Sequence, residues 1–220
     1  MKLSILILTH NRPELFKRAI NSVLNNLPEY DIEILVNNDT SDIDEIHDDR
    51  VSIQYHYFQH DDLSCVYKYL FDLATGEYIY YLEDDDYIID RYFLGLDFDT
   101  DVCYIEYISI PLINEFGSIE ANNRAKSNRK FKHITDLNKF LQKIDTMYYQ
   151  LGQIIFRKDL IKIFPTGNII HNDYNLVKHN ANAGRTVKYY SGARWIQTQD
   201  GLDNISYTHL NTDNRFYEQL

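Results

Sequence analysis

Four acidic residues in a row, Glu83-Asp84-Asp85-Asp86, follow the apolar run Tyr78-Ile79-Tyr80-Tyr81-Leu82. A buried strand that delivers four carboxylates to one point sets up mutual repulsion, and desolvation makes it worse. A divalent cation relieves that repulsion, and hard carboxylate oxygens suit Mg²⁺ or Mn²⁺. Magnesium keeps several waters and takes one or two carboxylates plus substrate phosphates, so a nucleotide diphosphate completes the shell. An isolated acidic run is more often a solvated loop, and it is the preceding strand that favours the functional reading. Another acid, Asp39, lies in the polar cluster Asn37-Asn38-Asp39-Thr40-Ser41-Asp42 that follows Ile32 to Val36. An acid after the second strand commonly meets ribose hydroxyls or a base edge. A third polar cluster, Thr9-His10-Asn11-Arg12-Pro13, follows the apolar run Leu3 to Leu8.

These clusters need a scaffold that brings them together. Leu3 to Leu8, Ile32 to Val36 and Tyr78 to Leu82 are short continuous apolar runs, as expected of strands covered on both faces. Val51, Ile53, Tyr55 and Tyr57 alternate, which predicts a strand with one wetter face. Leu15, Phe16, Ala19, Ile20, Val23, Leu24 and Leu27 recur at helical spacing, with Asn11 and Glu14 as an expected capping box and Pro13 in the first turn. Val66, Tyr69, Leu70 and Leu73 predict a second helix, stopped at Gly76. The order β-α-β-β-α-β implies an α/β fold with a mostly parallel central sheet and helices on both faces. Ligands bind at the carboxyl ends of such strands, so the three polar clusters converge on one edge.

The second half is less regular. Val102 to Ile110 and Gln153 to Phe156 predict strands. Thr135 is expected to cap a helix through Ile144, Asp159 to Phe164 is expected to be helical, and Asp173 to Ala181 predicts a further helix. Between them Arg124, Lys126, Arg129, Lys130 and Lys132 make a basic loop, read either as solvated or as a lid over acceptor or diphosphate.

Composition narrows the function. The chain has 220 residues, 44% hydrophobic and 25% charged, as in an ordinary globular domain. A net charge of −11 argues against strong tracking of nucleic-acid phosphates. No run of 18 apolar residues predicts a membrane span, and Met1 to Leu8 is too short for a signal sequence. The expected location is cytoplasmic, in a cell or in an infected host. Cys65 and Cys103 lack metal-ligand spacing and are expected to be two buried thiols. Nineteen tyrosines are unusual, and any near a site could stack on a base or sugar.

At this point the motifs form a pattern. Leu3 to Val23 with Thr9, Arg12 and Pro13, then Asn37-Asn38-Asp39-Thr40-Ser41, then Ala74-Thr75-Gly76-Glu77 leading through the strand into Glu83-Asp84-Asp85-Asp86, resemble family 2 glycosyltransferases in order and spacing. The resemblance covers roughly residues 3 to 95. It implies a single GT-A (Rossmann-like) domain and an inverting, metal-dependent transfer from a UDP-sugar. Residues 1–95 would be the donor half, and 96–220 the acceptor and catalytic-base half. Thr9, Arg12 and Pro13 would line the nucleotide pocket, Asp39 would hold uracil or ribose, and Asp84 would face ribose or sugar. Asp85 would hold the Mn²⁺ or Mg²⁺, with Glu83 standing where many members have the motif's first Asp. The family's arginine ahead of the Gly-Glu block is missing here, and Lys68 is a loose substitute.

The resemblance also implies a late catalytic base, best matched by Asp173 in His171-Asn172-Asp173-Tyr174, with a helix cap as the competing role and His171 as substitute base. His209 would be a C-terminal metal or diphosphate ligand, or else a solvated tail residue. Trp195 is either core or a platform for an acceptor ring. The acceptor is open: a glycan first, then a protein, a lipid-linked intermediate or a hydroxymethylated DNA base. Two other functions compete: a nucleotide-sugar-binding protein without catalysis, and a sugar nucleotidyltransferase. The missing Gly-rich loop after the first strand counts against the latter.

Overall fold

A computed structural model describes residues 2–27, 30–38, 43, 45–55, 63–89, 98–109, 133–143, 151–164 and 172–197. In chain order the strands are β1 (Leu3–Thr9), β2 (Ile32–Asn38), β3 (Val51–Tyr55), β4 (Tyr78–Glu83), β5 (Tyr87–Ile89), β6 (Val102–Ser109), β7 (Ile154–Arg157) and β8 (Val187–Gln197). They form one eight-stranded sheet in the order β3-β2-β1-β4-β7-β6-β8-β5. The pairs β1·β2, β1·β4, β2·β3 and β6·β8 are parallel. β7 runs antiparallel between β4 and β6, and β5 runs antiparallel on β8. The mostly parallel sheet expected from the motif order is therefore present.

Helices α1 (Pro13–Asn26), α2 (Leu63–Leu73), α3 (Leu137–Lys143) and α4 (Asn172–Asn180) cover both faces. On one face Ile5 and Ile7, Ile34 and Val36, and Tyr80 and Leu82 pack with Phe16, Ala19, Ile20 and Val23 of α1. On the other, Leu6, Leu35, Ile79 and Tyr81 pack with Leu70 of α2, Phe140 of α3, and Leu176 and Val177 of α4. Burial from both sides explains why β1, β2 and β4 read as unbroken apolar runs. Each fully buried side chain of this size stabilises by about 1.5–3 kcal/mol.

Several local expectations are corrected. Asn11 does not cap α1: it takes a left-handed φ of 53°, and Arg12 is the N-cap, with no side-chain cap hydrogen bond. Gly76 is not needed as a helix stop. A Cβ there would lie 2.5 Å from Ser4 Oγ and 2.8 Å from the Lys2 carbonyl, so glycine is required by close approach to β1. Asp136 rather than Thr135 caps α3, its Oδ1 accepting from the Lys139 amide at 2.9 Å. The helix expected over 159–164 is a short 3-10 turn at Lys158–Leu160. Cys103 is buried as expected, but Cys65 is exposed. β5 and β8 were not anticipated.

At the amino edge of the sheet, Glu33 accepts from Ser4 Oγ at 2.5 Å, Lys2 Nζ at 2.9 Å and the Thr75 amide at 2.6 Å. The Gly76 amide donates to both Ser4 Oγ and Glu33. The clamp ties the starts of β1, β2 and β4 together. Burial alone would raise the Glu33 carboxyl, but these hydrogen bonds outweigh it and bring it from 4.5 to about 2. A depressed folded pKa contributes stability that is present above pH 4.5 and lost as pH falls towards 2. Glu33→Gln should therefore cost about 2 kcal/mol at pH 7 and flatten the acid limb between pH 4.5 and 2, read by urea unfolding across pH. Gly76→Ala should cost about 2 kcal/mol at every pH, as overpacking does.

Candidate functional site

The parallel pairing of β1 with β2 and β4 brings their carboxyl ends to one edge: Thr9 lies opposite Asn38, and Leu8 opposite Glu83. Beyond β4 the chain turns at once, with the Asp86 amide donating to the Glu83 carbonyl at 3.1 Å. That turn holds Asp84, Asp85 and Asp86 buried, the last with no exposed surface, while Glu83 is exposed. Thr9, Asn37 and Asn38 are buried beside them.

Two arginines from the segment after β1 answer the acids. Arg12 Nη1 donates to Asp84 Oδ1 at 3.0 Å and to Asp85 Oδ2 at 3.4 Å, with little of any of the three side chains exposed. Arg18 Nη2 donates to the Asp85 carbonyl at 2.5 Å, and its guanidinium lies 5.0 Å from the centre of the Tyr87 ring. Compensation is incomplete. Burial raises the Asp84 carboxyl, Arg12 opposes, and Asp85 adds to the rise. The Arg12 hydrogen bond recovers part of it, and the balance stands at about 6. Burial thus outweighs the Arg12 contacts at Asp84.

Glu83, Asp85 and Asp86 can each offer a carboxylate oxygen within 4.8 Å of the others, the one such group among the described residues. Three hard oxygen donors at that spacing fit Mg²⁺ or Mn²⁺. Asp86 and Arg18 were not singled out from sequence. The run of four acids does contain Asp86, but only the turn shows that it closes back towards Glu83. Arg18 lies on the helix α1, and nothing in the helical pattern marks it as facing Asp85.

Other expected residues are placed as follows. Pro13 is the first residue of α1. Lys68 lies on α2, where it pairs with Asp72 at 2.5 Å and its ammonium sits 5.8 Å from the Phe164 ring centre. Asp173 is the second residue of α4. The far end of that helix is fixed at the amino edge, where Asn180 Oδ1 accepts from the Lys162 and Ile163 amides at 2.6 and 2.8 Å. Trp195 is on β8, paired with Ile88 of β5 and Tyr107 of β6. Asp39, His171, His209 and the basic loop 124–132 lie outside the described residues.

The sequence profile of glycosyl transferase family 2 matches residues 4–164. The fold is that of solved GT-A structures. S. aureus TarS 1–349 superposes with a TM-score of 0.64 at 17% identity over 90% of this chain and 60% of that one. Its complex with UDP-GlcNAc gives 0.61 at 18% identity, covering 91% of this chain and 60% of that one. A longer S. aureus TarS structure gives 0.58 at 18% identity, covering 90% and 37%. This chain thus spans about 60% of the length of the TarS 1–349 structures. No curated protein matches its sequence.

Removing one partner of a buried ion pair leaves the other charge uncompensated. Arg12→Ala should therefore lower stability by about 3 kcal/mol in urea unfolding. Saturating Mn²⁺ should return much of that loss, because a cation that binds only the folded state stabilises it. No recovery with Mn²⁺ would argue against a cation site at the turn.

Proposed function

Because the chain belongs to glycosyl transferase family 2, we propose that it transfers a sugar from a UDP-sugar to an acceptor hydroxyl, with a divalent cation and inversion at the anomeric carbon. The observation that carries this reading is the buried acidic turn after β4, facing Thr9 and Arg12 across the carboxyl edge. The S. aureus TarS structure with UDP-GlcNAc makes UDP-GlcNAc the first donor to try.

In this reading residues 1–95 bind the donor, and 96–220 supply the acceptor site and the base. Asp85 holds the cation, Mn²⁺ or Mg²⁺, assisted by Glu83 and Asp86, with His209 as a further ligand. When bound, the cation stabilises charge on the leaving diphosphate. Thr9, Arg12 and Pro13 border the nucleotide, Asp39 takes the uracil or ribose, and Asp84 faces the ribose or sugar. Lys68 is the loosest of the donor assignments.

Inversion requires a base on the face opposite the leaving group. We assign it to Asp173, with His171 as substitute. Anchoring of the Asn180 end of α4 at the amino edge leaves the Asp173 end directed away from that edge, in support of the role. Asp173 takes the acceptor proton as the oxygen bonds the anomeric carbon and the bond to the diphosphate oxygen breaks. A glycan is the first acceptor class, ahead of protein, lipid-linked or hydroxymethylated DNA acceptors. No helix among the described residues is long and apolar enough to cross a membrane. With only two cysteines, nothing calls for an oxidising compartment, and we place the reaction in the cytoplasm.

Calorimetry of UDP with and without Mn²⁺, followed by UDP release from a panel of UDP-sugars, tests the reading. Asp85→Ala should abolish the Mn²⁺-dependent part of UDP binding, and unchanged affinity would remove its metal role. Asp173→Asn should keep donor binding but lower transfer by roughly 10²-fold or more. Surviving turnover would move the base to His171 or another group.

A further inference from the structure

Three large hydrophobic residues are exposed among those described: Tyr55, Leu73 and Ile163. Leu73 ends α2 and Ile163 follows β7, both towards the amino edge. Tyr55, 73% exposed, closes β3 at the carboxyl edge, where the acidic turn also lies.

The strand register fixes what it stands beside. Tyr55 is opposite Asn38 of β2, and Asn38 is opposite Thr9 of β1. Paired residues of parallel strands share a face, and side chains alternate along each strand. Ile53 packs on the core beneath α1, while Gln54 and Ser52 hydrogen-bond each other on the other face. Tyr55 is in phase with Ile53, as Asn38 is with Val36 and Thr9 with Ile7. Tyr55, Asn38 and Thr9 therefore form a row along one face of the rim, and Asp84 follows β4 one residue beyond the Leu8–Glu83 pair at the inner end of that row. At ~4.8 Å between strands, the ring's backbone is ~10 Å from that of Thr9. A diphosphate at the acidic turn leaves its ribose and base to extend along this row, outward towards β3.

We infer that Tyr55 is the platform on which the donor nucleotide's base stacks, an affinity-determining contact at the outer end of the donor site. This rests on the proposed UDP-sugar reading. The ring supplies a flat, sequence-tolerant face, and the hydroxyl is not needed. The edge position fits its exposure: among the described residues β3 has no further strand beside it, and the base covers the ring only when bound.

The test is Mn²⁺-dependent calorimetry of UDP and of pyrophosphate, which lacks the base, on the wild type, Tyr55→Ala and Tyr55→Phe. Tyr55→Ala should weaken UDP roughly tenfold and leave pyrophosphate unchanged. Tyr55→Phe should stay within about twofold of the wild type for both. As a second readout, Tyr55→Trp adds an indole whose emission is read as the difference from the wild type, which has a single Trp. The added emission should be quenched by UDP and not by pyrophosphate. Unchanged UDP affinity in Tyr55→Ala, or equal weakening of UDP and pyrophosphate, overturns the stacking role while leaving the donor reading intact. A wild type that binds neither ligand overturns both.

Discussion

The rest of the molecule is arranged around a cost: three buried carboxylates at the end of a strand that is itself buried on both faces. Charge at such a point is tolerated only with cations in reach. β1 lies next to β4 in parallel, so the segment leaving β1 emerges directly opposite the acidic turn. Arg12 reaches Asp84 and Asp85 from there, and Arg18 reaches the Asp85 carbonyl from one turn into α1. The apolar side of α1, with Phe16, Ala19, Ile20 and Val23 buried against the sheet, is what holds both guanidiniums at that height. Packing of an ordinary amphipathic helix thereby becomes electrostatic compensation.

The two edges of the sheet treat acids in opposite ways. At the amino edge, the hydrogen bonds to Glu33 bring its pKa down to about 2. Asp101 is likewise lowered: against burial, it accepts from the Thr186 amide at 2.8 Å and Arg185 at 2.9 Å. Both acids are fully used in joining strands. Asp84 at the carboxyl edge, by contrast, is raised to about 6 despite Arg12. A buried acid whose carboxyl is pushed up by desolvation, at the sheet edge where ligands of such folds bind, is a candidate functional group. The same residue type has a lowered pKa at one end and a raised one at the other, and the surroundings alone decide which.

The first ninety residues were largely legible because their elements are local: continuous apolar runs, helical spacing, and acids directly after a strand. The polar clusters that hold Arg12, Asp84 and Asp85 followed from that pattern, while the separate roles expected of these residues came from the family resemblance. Asn11 illustrates the limit, since the capping-box signal was present, but the chain adopts a positive φ there and Arg12 takes the cap. Gly76 was recognisable as punctuation, while its real constraint, contact with Ser4 of a strand seventy residues earlier, is long-range. β8 pairs with both β6 and β5, and its register shifts beside Ile105 and Glu106, skipping Ser191 to Ala193. Such irregularity blurs the alternation that would announce a strand. Tyr55 belonged to a recognisable strand, but its exposure depends on β3 being outermost.

β5 shows why the turn holds its shape. It begins one residue after Asp86, and three residues are too few to be stable alone. It is held from two sides. Ser22 Oγ accepts from the Ile88 amide at 3.1 Å, and Asn26 Nδ2 donates to the Ile88 carbonyl at 3.2 Å, both from α1. On its other side β8 pairs with Tyr87, Ile88 and Ile89. The acidic turn is therefore pinned before by β4 and after by β5, with α1 gripping the latter and carrying the arginines that face the former. Carboxylates fixed this way would need no reorganisation to meet a cation, as the proposed metal role requires. Through β8, the same pin reaches the second half of the chain. The pairing of Ile88 with Trp195 and of Ile89 with Arg194 makes β8 one of the two supports on which the position of the turn depends.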